Sequence, residues 1–288
     1  MVTRRSIPPS FSLIQKEKLY LLCHEDYKEL LVECGGEDLN NLLHPKSKDS
    51  YAHEGRRPHP VLLLKSGQRA VLRQYIHGGL LRFFTGDLFL FGARSFRELA
   101  LTEEIRSHGI PTVIPIAAIH QILLPPLYRP YLLTLEVPGA LNLIQYLRGM
   151  GSHPAGEALS HKRKMIRSAG HLLRRFHQSG FYHGDLQLKN LLVSGDQVLI
   201  IDFDRSHRQE GLSVSQKVKN LLRLNRSVEK WKRFGLPITR TDRWRFLMAY
   251  SGGDTKILKA VKKALRTYSI GLFFHRCGWA IEKFLRSF

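Results

Sequence analysis

The spacing of apolar positions splits the chain into a strand-patterned first part and a helix-patterned second part. Val61-Leu62-Leu63-Leu64 ends at Ser66-Gly67, and Ala70-Val71-Leu72-Arg73-Gln74-Tyr75 ends at Gly78-Gly79. Two short apolar runs bounded by turn formers predict a β-hairpin. From Arg94 to His108, Phe96, Leu99, Ala100 and Ile105 recur at near-helical spacing, and Gly109-Ile110-Pro111 stops the run. That pattern predicts a helix. Tyr131 to Leu135 predicts a further strand, and Pro138-Gly139 a break. Beyond the break, the segment from Ser160 to Ser179 places Met165, Ile166, Ala169, Leu172, Leu173 and Phe176 on one helical face, closed by Gly180. The runs Leu191-Leu192-Val193 and Val198-Leu199-Ile200-Ile201 flank Gly195-Asp196, a hairpin-type turn. After Asp202 the pattern is mainly helical.

These elements predict an α+β chain of two lobes. Residues 1–135 form the strand-rich lobe and 136–288 the helical one, with a hinge near Glu136 to Gly139. Residues 1–50 carry no readable period and stand as an unassigned extension. The stretch from Pro45 to Pro60, PKSKDSYAHEGRRPHP, reads as a loop. The most apolar region, Ile110 to Val137, contains Pro111, Pro115, Pro125, Pro126 and Pro130 together with His120 and Arg129. It is a poor candidate for a membrane-spanning helix.

With 288 residues, 43% of them hydrophobic, the chain can bury a sizeable core, and wholesale disorder is excluded. The charge adds more. Forty-five Lys and Arg against 24 Asp and Glu give a net charge of +21, which calls for an anionic partner. The three cysteines, Cys23, Cys34 and Cys277, form no CxxC pair, so neither a disulfide framework nor a zinc cluster is indicated.

The chemistry concentrates in His183-Gly184-Asp185-Leu186-Gln187-Leu188-Lys189-Asn190, followed by Ile201-Asp202-Phe203-Asp204. Asp185 on a loop can orient an acceptor hydroxyl and take its proton. Asn190 and Asp202 supply hard oxygens suited to Mg²⁺. His183 fits a loop-holding role better than a catalytic one.

The segment resembles the catalytic and metal-binding loops of the protein-kinase-like superfamily. Within it, Val71-Leu72-Arg73-Gln74-Tyr75 with Gly78-Gly79-Leu80, Arg94-Ser95-Phe96-Arg97-Glu98, Ile201-Asp202-Phe203-Asp204-Arg205 and Asn220-Leu221-Leu222-Arg223-Leu224-Asn225-Arg226-Ser227 resemble the lipopolysaccharide kinase family, over roughly residues 55–250. The resemblance implies a two-lobed kinase-like fold and ATP-dependent phosphorylation of a sugar hydroxyl, that of 3-deoxy-D-manno-octulosonic acid (Kdo), in the inner core of lipopolysaccharide on a lipid A precursor. It implies Asp185 as catalytic residue, Asn190 and Asp202 as metal ligands, and Arg73, Glu98 and the Glu136–Val137 stretch as nucleotide contacts, with ATP and Mg²⁺ as cofactors.

Arg73 stands where such strands usually carry lysine; Lys65 is a rival at the end of the preceding strand. Gly55-Arg56-Arg57 is the sole candidate for a phosphate loop. Two departures from the family pattern are His77 before Gly78-Gly79, where arginine is common, and the unmatched first 50 residues.

The basic excess has a location. Between Arg205 and Arg245 there are twelve Lys or Arg and three Asp or Glu, a cationic rim suited to an anionic glycolipid. From Thr255 to Tyr268, Ile257, Leu258, Val261, Leu265 and Tyr268 share one helical side, opposite Lys256, Lys259, Lys262, Lys263 and Arg266. Phe273, Phe274, Trp279, Phe284 and Phe288 follow. This suits either an interfacial helix on an anionic membrane or ordinary packing. The expected setting is the cytoplasmic face of the bacterial inner membrane, peripherally bound. No nucleic acid is expected, since no recognition motif accompanies the charge. Other readings are a phosphotransferase for another small hydroxyl substrate, a nucleic-acid-binding module supported by the basic charge alone, and a non-catalytic scaffold. Cationic acceptors such as aminoglycosides or choline conflict with the basic rim.

Overall fold

The computed structural model describes residues 7–16, 18–29, 59–64, 66–77, 86–90 and 92–266. The chain divides into two compact units, Met1–Pro138 and Gly139–Phe288.

In its described residues the first unit is an antiparallel sheet packed with a 14-residue helix. Its strands are β1 (Phe11–Lys16), β2 (Leu19–His24), β3 (Val61–Leu63), β4 (Arg69–Gln74), β5 (Phe89–Leu90), β6 (Pro115–Leu124) and β7 (Leu127–Leu135). They lie in the order β1-β2-β6-β7-β4-β3, with β5 alongside β7. The β3–β4 hairpin forms as its pattern predicts, with Val61 opposite Val71. The helix α1 spans Arg94–Ser107.

Alternation sorts the sheet's side chains. Leu21, Cys23, Leu72, Ile119, Tyr131 and Leu133 form one cluster. Leu22, Ala118 and Leu132 point the other way and join Phe96 and Leu99 of α1 in a second.

Two parts of this sheet differ from the sequence reading. The extension contributes residues 11–24 as β1 and β2, and β2 pairs with β6, Leu21 opposite Ile119. The proline-broken region is a hairpin. Pro115 occupies the first position of β6, and Pro125-Pro126 form the turn into β7. Strand starts and turns are the places where a missing N–H does no harm. His120 lies in this hairpin, stacked 3.9 Å from Phe96 and 4.4 Å from Tyr128, and burial lowers its pKa to about 4.

The second unit is helical. It contains β8 (Leu141–Asn142), α2 (Leu143–Gly149), α3 (Gly156–Gln178), β9 (Phe181–Tyr182), β10 (Leu191–Ser194), β11 (Gln197–Ile200), β12 (His207–Arg208), α4 (Val214–Arg233) and α5 (Arg240–Ser251). A last helix, α6, covers residues 255–266. Asn142, Ser213 and Thr239 each close a reciprocal capping box at the starts of α2, α4 and α5. The predicted stripe of α3, from Met165 to Phe176, is buried throughout.

Gly170 sits where α3 meets α5: a Cβ there would lie 2.6 Å from Phe246 O and 2.8 Å from Ala249 Cβ. The same contact contains a buried ion pair, Lys162 Nζ to Asp242 Oδ2 at 2.8 Å. In α6, Ile257 and Val261 are buried, while Lys256, Lys259, Lys262, Lys263 and Arg266 are exposed. Packing therefore claims the centre of its apolar stripe. Tyr268 and the aromatic tail lie outside the described residues. Among the described residues, no helix is long and apolar enough to cross a membrane.

Candidate active site

In the first unit, strand alternation carries Arg73 of β4 and Tyr75, just past its end, to the same side, toward α1. Arg73 Nη2 forms an ion pair with Glu98 Oε1. It also donates to the Tyr75 hydroxyl at 2.9 Å, and Tyr75 OH donates to Glu98 Oε2. The guanidinium carbon lies 4.7 Å from the Tyr75 ring centroid. Tyr75 and Glu98 are buried, while the Arg73 side chain is 22% exposed. Burial is the largest influence on Tyr75 and keeps it protonated, so it stays a donor to the carboxylate. The result is an arginine held in place from behind.

Lys65, Gly55-Arg56-Arg57 and Gly78-Gly79-Leu80 lie outside the described residues. Glu136 is committed locally: its carboxylate pairs with Arg69 at 2.6 Å and its N–H donates to Arg69 O at 2.8 Å. Val137 follows it, half-buried.

In the second unit the loop after β9 is built around His183, which is fully buried. Its Nδ1 accepts from Asp185 N–H at 3.0 Å, so Nε2 carries the proton and donates to Ile201 O at 3.0 Å. Burial lowers its pKa and keeps this neutral form. His183 thereby ties the Asp185 loop to the strand end that precedes Asp202. Gly184 is required for close approach: a Cβ there would lie 2.6 Å from the Arg205 carbonyl and 2.7 Å from Asp204 O. Ser206 Oγ accepts from Gly184 N–H at 2.9 Å.

Asp185 is half-buried, and Gln187 Nε2 donates to both of its carboxylate oxygens at 2.7 Å. Asn190 is buried, with its Nδ2 donating to Asp185 O at 2.8 Å and its backbone carbonyl accepting from Ile201 N–H at 3.0 Å. Its Oδ1 has no hydrogen-bond partner among the described residues.

Asp202 adopts φ 67°, in the left-handed region. A residue with a Cβ pays of order 1–3 kcal/mol there, and such outliers cluster at functional sites. Phe203 anchors the turn, buried against Phe176 of α3 and against His183, with centroids 6.1 and 5.6 Å apart. The donor set suits Mg²⁺: a buried amide oxygen and a half-buried carboxylate on adjoining loops, both hard oxygens, for a cation that takes few protein ligands.

One face of α4 moulds the loop. Asn220 donates from Nδ2 to His183 O at 2.7 Å, and its Oδ1 accepts from His177 Nε2 at 2.9 Å and from His183 N–H at 3.4 Å. Arg223 Nη1 donates to Gly184 O. Ser227 Oγ accepts from Leu188 N–H at 3.2 Å. The spacing of three and four residues puts all three on one side of the helix. Neither this seam nor Tyr75 and Gln187 is marked by the sequence reading. The run from Asn220 to Ser227 enters it as family resemblance, and the polar side chains recurring at that spacing within it are the available signal.

A phosphotransferase of the protein-kinase-like class is what this α+β fold and its paired loops define. The pattern of the lipopolysaccharide kinase (Kdo/WaaP) family matches residues 51–250, and the chain belongs to that family. A 3-deoxy-D-manno-octulosonic acid kinase of Vibrio cholerae serotype O1 is 34% identical over 170 residues, covering 56% of this chain and 66% of the relative, just under two thirds of its length. One from Actinobacillus succinogenes is 32% identical over 191 residues, covering 63% and 75%. Among solved structures, WaaP in complex with acyl carrier protein shares the fold with a TM-score of 0.55 at 17% identity, over 86% of this chain and 98% of that one.

Proposed function

We propose that the chain transfers the γ-phosphoryl group of ATP to a hydroxyl of Kdo in the lipopolysaccharide inner core, on a lipid A precursor. Asp185 orients that hydroxyl and accepts its proton as the new oxygen–phosphorus bond forms and ADP leaves. Gln187 fixes the carboxylate by holding both oxygens, and His183 and Asn190 fix the loop on either side of it. Asn190 Oδ1 and Asp202 would hold Mg²⁺, which would supply positive charge to neutralise the phosphates. Arg73, braced by Glu98 and Tyr75, binds phosphate oxygens through its planar fork. The Glu136 N–H is already engaged, so adenine contact in that stretch falls to the backbone around Val137.

The observation that carries this reading is the join between the two loops of the second unit, where His183 bonds both Asp185 N–H and Ile201 O. The family membership narrows the acceptor to a lipid-linked sugar. The exposed lysines and arginine of α6 and the overall charge of +21 support work at an anionic membrane surface, peripherally on the cytoplasmic face of the inner membrane. With Ile257 and Val261 packed inward, that attachment is mainly electrostatic.

The deciding experiment is transfer of labelled γ-phosphate from ATP to a panel of Kdo–lipid A, heptosylated core, an aminoglycoside and a protein. Label should appear in Kdo–lipid A. Asp185→Asn should lower kcat by roughly 10²- to 10⁴-fold with little change in ATP binding. Label in the aminoglycoside or the protein alone, or undiminished turnover in Asp185→Asn, refutes the reading.

A further inference from the structure

We infer that Arg223 is a specificity-determining residue that docks an acidic group of the acceptor sugar while Asp185 holds the hydroxyl. The inference rests on the reading of Asp185 as the base facing the acceptor. It starts from a contrast within one helix face. Asn220 and Ser227 of α4 support the loop with a neutral amide and a hydroxyl, and both are buried. Arg223 supports one carbonyl, Gly184 O, with one nitrogen, yet brings a full positive charge and a side chain that is 34% exposed. A carbonyl acceptor does not require a guanidinium.

The geometry shows what the charge faces. Arg223 Nη1 lies 3.6 Å from Asp185 Oδ1, beyond hydrogen-bond length, and the Asp185 side chain is 43% exposed beside it. The carboxylate is instead gripped by neutral Gln187, at 2.7 Å from each oxygen. Lys189 Nζ approaches the same carboxylate at 3.9 Å. The Asp185 carboxylate thus faces two cations, Arg223 and Lys189, on an open surface.

A guanidinium carries five N–H donors in a fixed fork. Among the described residues, Arg223 Nε and Nη2 have no hydrogen-bond partner. An acceptor bearing a carboxylate or phosphate near its reactive hydroxyl can take that fork bidentately. A neutral sugar at the same place forgoes that charge-assisted contact, so the site discriminates by charge as well as shape.

The test uses the full chain, ATP, and two detergent-dispersed acceptors: Kdo–lipid A, and the same molecule with its Kdo carboxyl converted to a methylamide. The parent should prefer the carboxylate form by about 10- to 100-fold in kcat/KM, the range of a charge-assisted hydrogen bond. In Arg223→Gln that ratio should fall to near one, mainly through a raised KM for the carboxylate form, with KM for ATP unchanged. Arg223→Lys should retain part of the preference and serves as the second measurement should the glutamine variant fold poorly. A preference that persists in both variants, or a parent that does not distinguish the two acceptors, overturns the inference. Asp185→Asn in the same assay separates the two readings: undiminished turnover there refutes the base assignment, whereas loss of preference at Arg223 reports on acceptor docking alone.

Discussion

Asn220→Ala removes a side chain that no part of the reaction touches, yet it should cost both stability and turnover. Asn220 is fully buried and serves three partners: His183 O at 2.7 Å, His177 Nε2 at 2.9 Å and, at 3.4 Å, His183 N–H. Alanine leaves two well-bonded groups and one long-bonded group without their partner. A buried polar group stripped of its partner costs about 1–3 kcal/mol. Partial relaxation at the long contact makes a total of about 2–5 kcal/mol reasonable, a large share of the 5–15 kcal/mol typical of a domain. The same bonds hold the backbone on which Asp185 and the Nδ1 acceptor of His183 are placed. Turnover at a temperature where the variant remains folded should therefore fall by about 10-fold or more, in keeping with the sensitivity of catalysis to sub-ångström placement. Urea denaturation followed by far-UV circular dichroism measures the first quantity, and phosphate transfer at 15–20 °C, well below the transition, measures the second. A loss under about 1 kcal/mol together with parental turnover refutes the argument.

Gly184→Ala should reduce turnover by more than about tenfold, since its Cβ would press within 2.6 Å of the Arg205 carbonyl and force the two loops apart; a phosphate-transfer assay checks it. Lys162→Met should lower stability by about 1–3 kcal/mol in a denaturant titration, because it takes the buried cation from Asp242 and the donor from Pro237 O at the α3–α5 contact, while Arg245 at 3.2 Å and the Thr239 N–H at 3.0 Å still hold the Asp242 carboxylate. Burial holds His120 and His177 at pKa values of about 4 and lowers that of His183. The unfolded chain takes up protons near pH 6.5 that the folded chain refuses. Stability from these groups is fully present above that pH and is lost as pH falls from 6.5 toward 4. Denaturation midpoints at pH 7.5 and 5 should show the drop, and His177→Gln should make it shallower.

What the sequence alone determined is what local spacing encodes. The hairpin from Val61 to Tyr75, the helix beginning at Arg94 and the buried stripe of α3 follow from periods of two and 3.6 residues, which need no knowledge of the partner surface. The candidate chemistry was legible for the same reason. Asp185 and Asn190 lie on one loop, and Asp202 ends the hairpin that directly follows. The pairing of Arg73 with Glu98 was also within reach, as a strand cation seeking a carboxylate on the next helix.

Only the tertiary structure decided the rest. Residues 11–24 become strands because β6 offers them an edge, and Pro115, Pro125 and Pro126 are tolerated because they fall at a strand start and a turn, whereas Pro130 lies inside β7 opposite His120. The loop's supports, Asn220, Arg223 and Ser227, lie 37 to 39 residues from their partners. No local period marks such a relationship: a polar residue on a helix reads as solvent-facing until another segment packs against it. The same holds for α6, whose apolar stripe reads equally as a membrane contact or a core contact. Burial of Ile257 and Val261 assigns the centre of that stripe to the core, while Leu265 stays 40% exposed and the lysines and arginine around it keep their charge in water.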